Sequence, residues 1–145
     1  MPRGAETFVL DTSALLALKD DEPGASEVEA LLRQHGRKEA VFISFMSIME
    51  LAYILEQEQG EAAARLGVLQ LKQLPLQVVE SDEPLGLAAA RIKARHKLSV
   101  ADAWIAATAE RLGATLVHKD PEFESLAGVV PQKTLPPKTG RGGSS

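Results

Sequence analysis

Cysteine is missing from this 145-residue chain, and aromatic residues make up only 4% of it, with one Trp, one Tyr and four Phe. Without Cys there is no disulfide, no thiolate zinc site and no cysteine nucleophile. The lack also fits a reducing compartment. Long hydrophobic runs are missing too, since nothing reaches the ~18 apolar residues of a membrane span. The opening MPRGAETFVLDTSALL lacks the order of a signal peptide, because Asp11 interrupts the apolar stretch and no clean cleavage site follows. These absences predict a cytoplasmic protein with no membrane partner. A basic excess is absent as well. Twenty acids face sixteen Lys and Arg, for a net charge of −4, which argues against a protein that coats nucleic acid through a broad basic face. Only three His occur, His35, His96 and His118, too few and too scattered for a His-based zinc site.

What the chain has in quantity is Ala and Leu, a composition for helices with small, smooth packing faces. Short β-branched runs punctuate them. Thr7–Leu10, Val41–Ser44, Leu76–Val79 and Ala114–Val117 read as strands, and Val129-Val130 as a last edge strand. Helices are expected over Ala14–Leu18, Ser26–His35, Ser47–Gln59, Glu61–Leu74, from Ser81 or Asp82 to about Lys97, and over Ser99–Leu112, where Gly113 provides the stop. Apolar strands of four residues separated by helices imply a parallel sheet covered on both faces. The expected fold class is therefore α/β, with three α/β/α layers around a mostly parallel sheet of four to five strands. Length predicts one domain, assigned to residues 1–131. Residues 132–145, rich in Pro and Gly, are expected to be a disordered tail, and Gly140–Ser145 has the look of an added linker.

Four acids sit in unusually apolar company. Asp11, Asp102 and Asp120 are embedded in or abut apolar segments, and Glu50 lies in Ser47–Leu55, a helix apolar on nearly every side. Each has a local explanation. Asp11 can N-cap the first helix. Asp102 completes the capping-box pattern Ser99-x-x-Asp102. Asp120 precedes Pro121 as an N-cap does, and Glu50 can lie on a narrow polar stripe. Topology favours a joint explanation instead. Asp11 and Asp120 end two predicted parallel strands, where open α/β sheets bind ligands. Asp102 opens a helix, and Glu50 follows the second strand closely. Converging carboxylates repel unless hard cations sit among them, and all-oxygen ligands favour Mg²⁺ or Mn²⁺ over zinc.

The segments Val9–Leu15, Ser47–Leu51, Leu98–Ala109 and Leu116–Asp120 resemble, in order and spacing, the motifs of a PIN domain, and more closely the VapC toxins of toxin–antitoxin pairs. The resemblance covers about residues 7–131. It implies an α/β/α fold and a Mg²⁺- or Mn²⁺-dependent ribonuclease. It places Asp11, Glu50, Asp102 and Asp120 as the catalytic, metal-holding acids, with Glu122 and Glu124 as neighbouring substitutes for Asp120. Ser13, and less directly Thr12, would shape the site. It further implies a homodimer silenced by a small antitoxin protein, with RNA as substrate. Outside these motifs, Arg91, Arg95 and Lys97 belong to a basic run at a helix end and His118 lies two residues before Asp120; these four are the candidate substrate contacts. The same basic run would also suit the negative end of a helix. Trp104 reads as a core-packing residue, and Leu31, Leu32, Leu51, Leu55 and Leu66 as core or dimer-face residues.

Three rival readings remain open. A haloacid-dehalogenase-like phosphatase also places an aspartate after its first strand but needs a second Asp two positions later, where Ser13 stands. A non-catalytic PIN-like binding module would have lost acids. A PIN nuclease of RNA processing or DNA cleavage, outside any toxin–antitoxin pair, keeps every motif. Setting the four acids aside leaves sixteen acidic residues against sixteen basic ones. The whole acid excess thus fits in one metal site, and the acidity ceases to count against RNA.

Overall fold

The computed structural model describes residues 6–137. Its element order is β1 (Phe8–Leu10), α1 (Thr12–Lys19), α2 (Ala25–His35), β2 (Val41–Ser44), α3 (Phe45–Gln59), α4 (Glu61–Lys72), β3 (Gln77–Val79), α5 (Glu83–Arg95), α6 (Val100–Leu112), β4 (Thr115–His118) and β5 (Gln132–Thr134). Short 3₁₀ turns occupy Gly36–Lys38 and Pro121–Leu126. The five strands form one sheet in the order β3-β2-β1-β4-β5, every neighbouring pair parallel. The α/β class and the three layers follow the reading from sequence.

The period-two alternation of side chains sorts the core into two halves. Phe8, Leu10, Val41 and Ile43 point to one face, where they meet Leu15, Val28, Leu31, Leu51, Leu55 and Leu71 of α1–α4. Val9 and Leu116 point to the other, against Leu85, Ala89 and Ile92 of α5 and Ile105 and Ala106 of α6. The many alanines of α6 let that helix lie close on the sheet; Ala103, Ala106, Ala107 and Ala109 are all buried. The hairpin of α5 and α6 is closed by Asp82, which caps α5 at the Leu85 amide and accepts two hydrogen bonds from the Arg111 guanidinium at 2.7 and 2.8 Å.

Sequence misplaced the C-terminal boundary. Val129-Val130 forms no strand; the edge strand is Gln132–Thr134, paired with β4 in the register Leu116–Gln132, Val117–Lys133 and His118–Thr134. Leu135, 1% exposed, packs into the α1–α4 half of the core. An edge strand paired on one side needs no apolar run, which is why Gln-Lys-Thr looked like tail. The remaining expected tail, residues 138–145, lies outside the described residues, as do residues 1–5. Among the candidate core leucines, Leu31, Leu32, Leu51 and Leu55 are buried, whereas Leu66 is exposed.

One glycine is fixed by space alone. Gly36 has ordinary helical torsions, φ −61° and ψ −41°, but a Cβ there would lie 2.7 Å from both the Pro75 carbonyl oxygen and its Cβ. Backbone cannot rotate away as a side chain can. Gly36→Ala is expected to destabilise the fold by about 1–3 kcal/mol, read as a lower urea midpoint with unchanged m-value. A loss below about 0.5 kcal/mol would show that the segment before β3 yields freely.

Candidate functional site

The order β3-β2-β1-β4-β5 makes successive connections run to opposite sides of β1, so a crevice opens beyond the C-terminal ends of β1 and β4. Asp11 leaves β1 into this crevice. It is 2% exposed and N-caps α1, its Oδ1 accepting from the Ala14 amide at 2.9 Å. The Ser13 hydroxyl donates to Asp11 at 2.7 Å and itself accepts from the Lys119 amide at 2.8 Å. Ser13 therefore joins the exit of β1 to the exit of β4. The Lys119 ammonium group, nearly buried, holds the α1–α2 connection through the Pro23 carbonyl at 2.9 Å and Glu22 at 3.5 Å.

Glu50 reaches the crevice from α3, half-buried. The Thr12 hydroxyl lies 2.5 Å from Glu50 Oε1 and 3.2 Å from the buried Ser47 Oγ. Asp102 comes from the first turn of α6. Ser99 Oγ caps the Asp102 amide at 3.1 Å, which is the first half of the capping box. The Asp102 carboxyl turns to the other acids instead and hydrogen-bonds Glu122. Asp120 leaves β4 and caps the 3₁₀ turn, its Oδ1 accepting from the Glu122 amide at 2.9 Å. Asp102, Asp120 and Glu122 each present a ligand atom, and these atoms lie within 4.8 Å of one another.

Electrostatics separates these acids from the structural one. Arg111 and the Leu85 amide hold the Asp82 carboxyl down at about 2. Burial pushes Asp11 up to about 7, with the charges of Asp120 and Glu50 adding to it and the Ser13 and Ala14 hydrogen bonds opposing it. Burial also pushes Asp102 up to about 8, helped by the Glu122 hydrogen bond and by Asp120, Asp11 and Glu50. Buried like charges without a compensating partner produce this pattern, and a divalent cation relieves it. The donor set is all oxygen, so the residues present fit Mg²⁺ or Mn²⁺.

The structure thus brings Asp11, Glu50, Asp102 and Asp120 within mutual electrostatic reach, with Ser13 and Thr12 as their supports. It adds Glu122 to the same cluster, a residue that sequence offered only as a substitute; its spacing of two from Asp120 on a 3₁₀ turn was the available signal. His118 is corrected. Its ring is 0% exposed, with Nε2 2.8 Å from Gln132 Oε1 and Nδ1 3.1 Å from the Asp120 amide. A side chain sealed in this way does not touch substrate. Arg91 and Arg95 are exposed on α5 but line a separate hollow with Ile92, Glu110 and Val129, in which none of the four acids takes part. Lys97 is exposed in the α5–α6 connection. Trp104 is a packing residue, its ring 5.0 Å from Phe45 at 83°.

Solved structures share this architecture. VapBC2 of Rickettsia felis, solved with a DNA fragment from its promoter, superposes with a TM-score of 0.72 at 15% identity over 90% of this chain and 99% of that one. VapBC of Salmonella typhimurium bound to DNA gives 0.70 at 21% identity, covering 90% and 98%. VapC20 of Mycobacterium tuberculosis, described as a Sarcin-Ricin loop cleaving toxin, gives 0.70 at 21% identity, covering 90% and 100%. No curated protein matches the sequence. The family model of the PIN domain matches residues 8–129, a span that runs from β1 through every acid of the crevice, and the chain belongs to the PIN domain family.

Proposed function

We propose that the chain is a divalent-metal-dependent endoribonuclease and the toxin of a VapBC-type toxin–antitoxin pair, acting in the cytoplasm. The observation that carries this reading is the meeting of Asp11, Glu50, Asp102 and Asp120, drawn from four elements, with Asp11 and Asp102 buried and shifted up to about 7 and 8. The structural likeness to VapC20, a Sarcin-Ricin loop cleaving toxin, and to two VapBC complexes supports RNA as substrate and an antitoxin as partner. No helix among the described residues is long and apolar enough to cross a membrane.

Asp11, Asp102, Asp120 and Glu50, with Glu122 beside them, would hold Mg²⁺ or Mn²⁺. When bound, the cation supplies positive charge opposite the scissile phosphodiester and acidifies water for in-line attack. The chain's own residues do the positioning. Ser13 fixes both oxygens of Asp11, at 2.7 and 2.9 Å. Thr12 orients Glu50, and the α6 cap orients Asp102. Lys97, Arg91 and Arg95 would meet flanking phosphates. A homodimer is part of the proposal, supported by the exposed apolar side chains Met49, Tyr53, Leu66, Leu69 and Leu87.

The test is purified protein on structured RNA, single-stranded RNA and DNA, with Mn²⁺ or with EDTA. The expected result is Mn²⁺-dependent cleavage of RNA that leaves 5′-phosphate and 3′-hydroxyl ends. Cleavage in EDTA, or 2′,3′-cyclic phosphate ends, would overturn the metal-dependent scheme. Cleavage of DNA alone would move the chain to the DNA-cutting alternative. Co-purification of a small partner from the native host tests the antitoxin.

A further inference from the structure

The buried His118 has no part in the chemistry above, yet its ring lies directly beneath the turn that presents Asp120 and Glu122. The Asp120 amide donates to Nδ1 at 3.1 Å, so the ring proton must sit on Nε2. Nε2–H then donates to Gln132 Oε1 at 2.8 Å. With its oxygen used, Gln132 donates through Nε2 to the Phe123 carbonyl at 2.7 Å. Each donor in this chain meets one acceptor, and its direction is fixed from end to end. The Phe123 ring also packs on the imidazole, with centroids 4.9 Å apart. The two ends of the relay grip the turn at Asp120 and at Phe123, on either side of Glu122.

We infer that His118 and Gln132 are positioning residues, a relay between neighbouring strands that sets where Asp120 and Glu122 meet a divalent cation. The inference rests on the metal-centre reading above. A partner behind a ligand orients it, and losing such a partner typically costs 10–100-fold in metal affinity. The relay also explains why the edge strand matters for the site: Gln132 belongs to β5.

The test uses the full chain and Mn²⁺ as probe, with affinity read by electron paramagnetic resonance and the Asp120 amide read by hydrogen exchange in metal-free protein. His118→Leu and Gln132→Leu are expected to weaken Mn²⁺ binding about 10-fold or more and to speed exchange at the Asp120 amide. His118→Asn places an oxygen near the Nδ1 position and is expected to restore Asp120 protection and most of the affinity, whereas His118→Gln is not. Gln132 lies on an edge strand, so Gln132→Leu decides the matter even where His118→Leu does not fold. Mn²⁺ affinity within twofold of wild type in Gln132→Leu, with the Asp120 amide still protected, would overturn the relay. Wild-type protein that takes up no Mn²⁺ would overturn the metal reading; the exchange rates then decide the relay alone, unchanged protection counting against it.

Discussion

Asp11→Asn is expected to lose RNA cleavage by about 10³-fold or more and, in the same protein, to become more stable. Both effects come from one charge. Asn keeps the oxygen that accepts from the Ala14 amide and the Ser13 hydroxyl, so the α1 cap survives. It removes an anion that burial has pushed up to about 7. In metal-free protein at pH 8 that anion is a liability, and its removal is expected to add on the order of 1–3 kcal/mol. Paired measurements of cleavage rate and urea midpoint check this. Loss of activity together with loss of stability would indicate a damaged fold. Activity at the wild-type level would sink the assignment of Asp11 to the chemistry.

Metal-free protein is expected to lose stability as the pH rises from about 4 to about 8, the reverse of ordinary acid denaturation. In the native state Asp11 titrates near 7 and Asp102 near 8, whereas in the unfolded chain both sit near 3.8. Across that window the native state binds more protons than the unfolded one, so stability falls with pH. Their contribution is fully present below about pH 4 and is lost as the pH passes 7 and then 8. The fall should amount to several kcal/mol, at least about 10 °C in melting temperature for a chain of this size. Mn²⁺ is expected to offset part of it, since a ligand at about a hundred times its Kd adds about 2.7 kcal/mol. Asp102→Asn should flatten the pH dependence in EDTA. A melting temperature that climbs steadily from pH 5 to pH 8 in EDTA would contradict the buried charges.

How much of this was legible in the sequence depends on how local the cause is. The strand reading at Val9-Leu10 and Val41–Ser44 worked because buried parallel strands show themselves as unbroken apolar runs. Asp11, Asp102 and Asp120 looked odd because they interrupt such runs. Two of the three also keep the capping role expected of them: Asp11 and Asp120 cap a helix and a turn while facing the crevice. The cap and the site are one residue seen from backbone and from side chain. Helix starts slipped by about two residues, since Ser44 rather than a later residue caps α3, and α1 begins at Thr12. What sequence missed was set by partners distant along the chain. The pairing of Asp82 with Arg111 spans 29 positions, and the burial of His118 depends on Gln132 and Phe123. A polar edge strand carries no apolar signal at all, so β5 could be found only from its neighbour.

Both borders of the sheet share one property. β3 and β5 are three residues long, and Gln77, Lys133 and Thr134 lie exposed along them. Strands so brief and so polar make poor templates for a sixth strand from another molecule. Growth of the sheet from copy to copy, the usual hazard of an open parallel sheet, is therefore blocked at both ends. Assembly by edge-to-edge strand addition is therefore disfavoured, and a rise in concentration should give discrete oligomers rather than fibres.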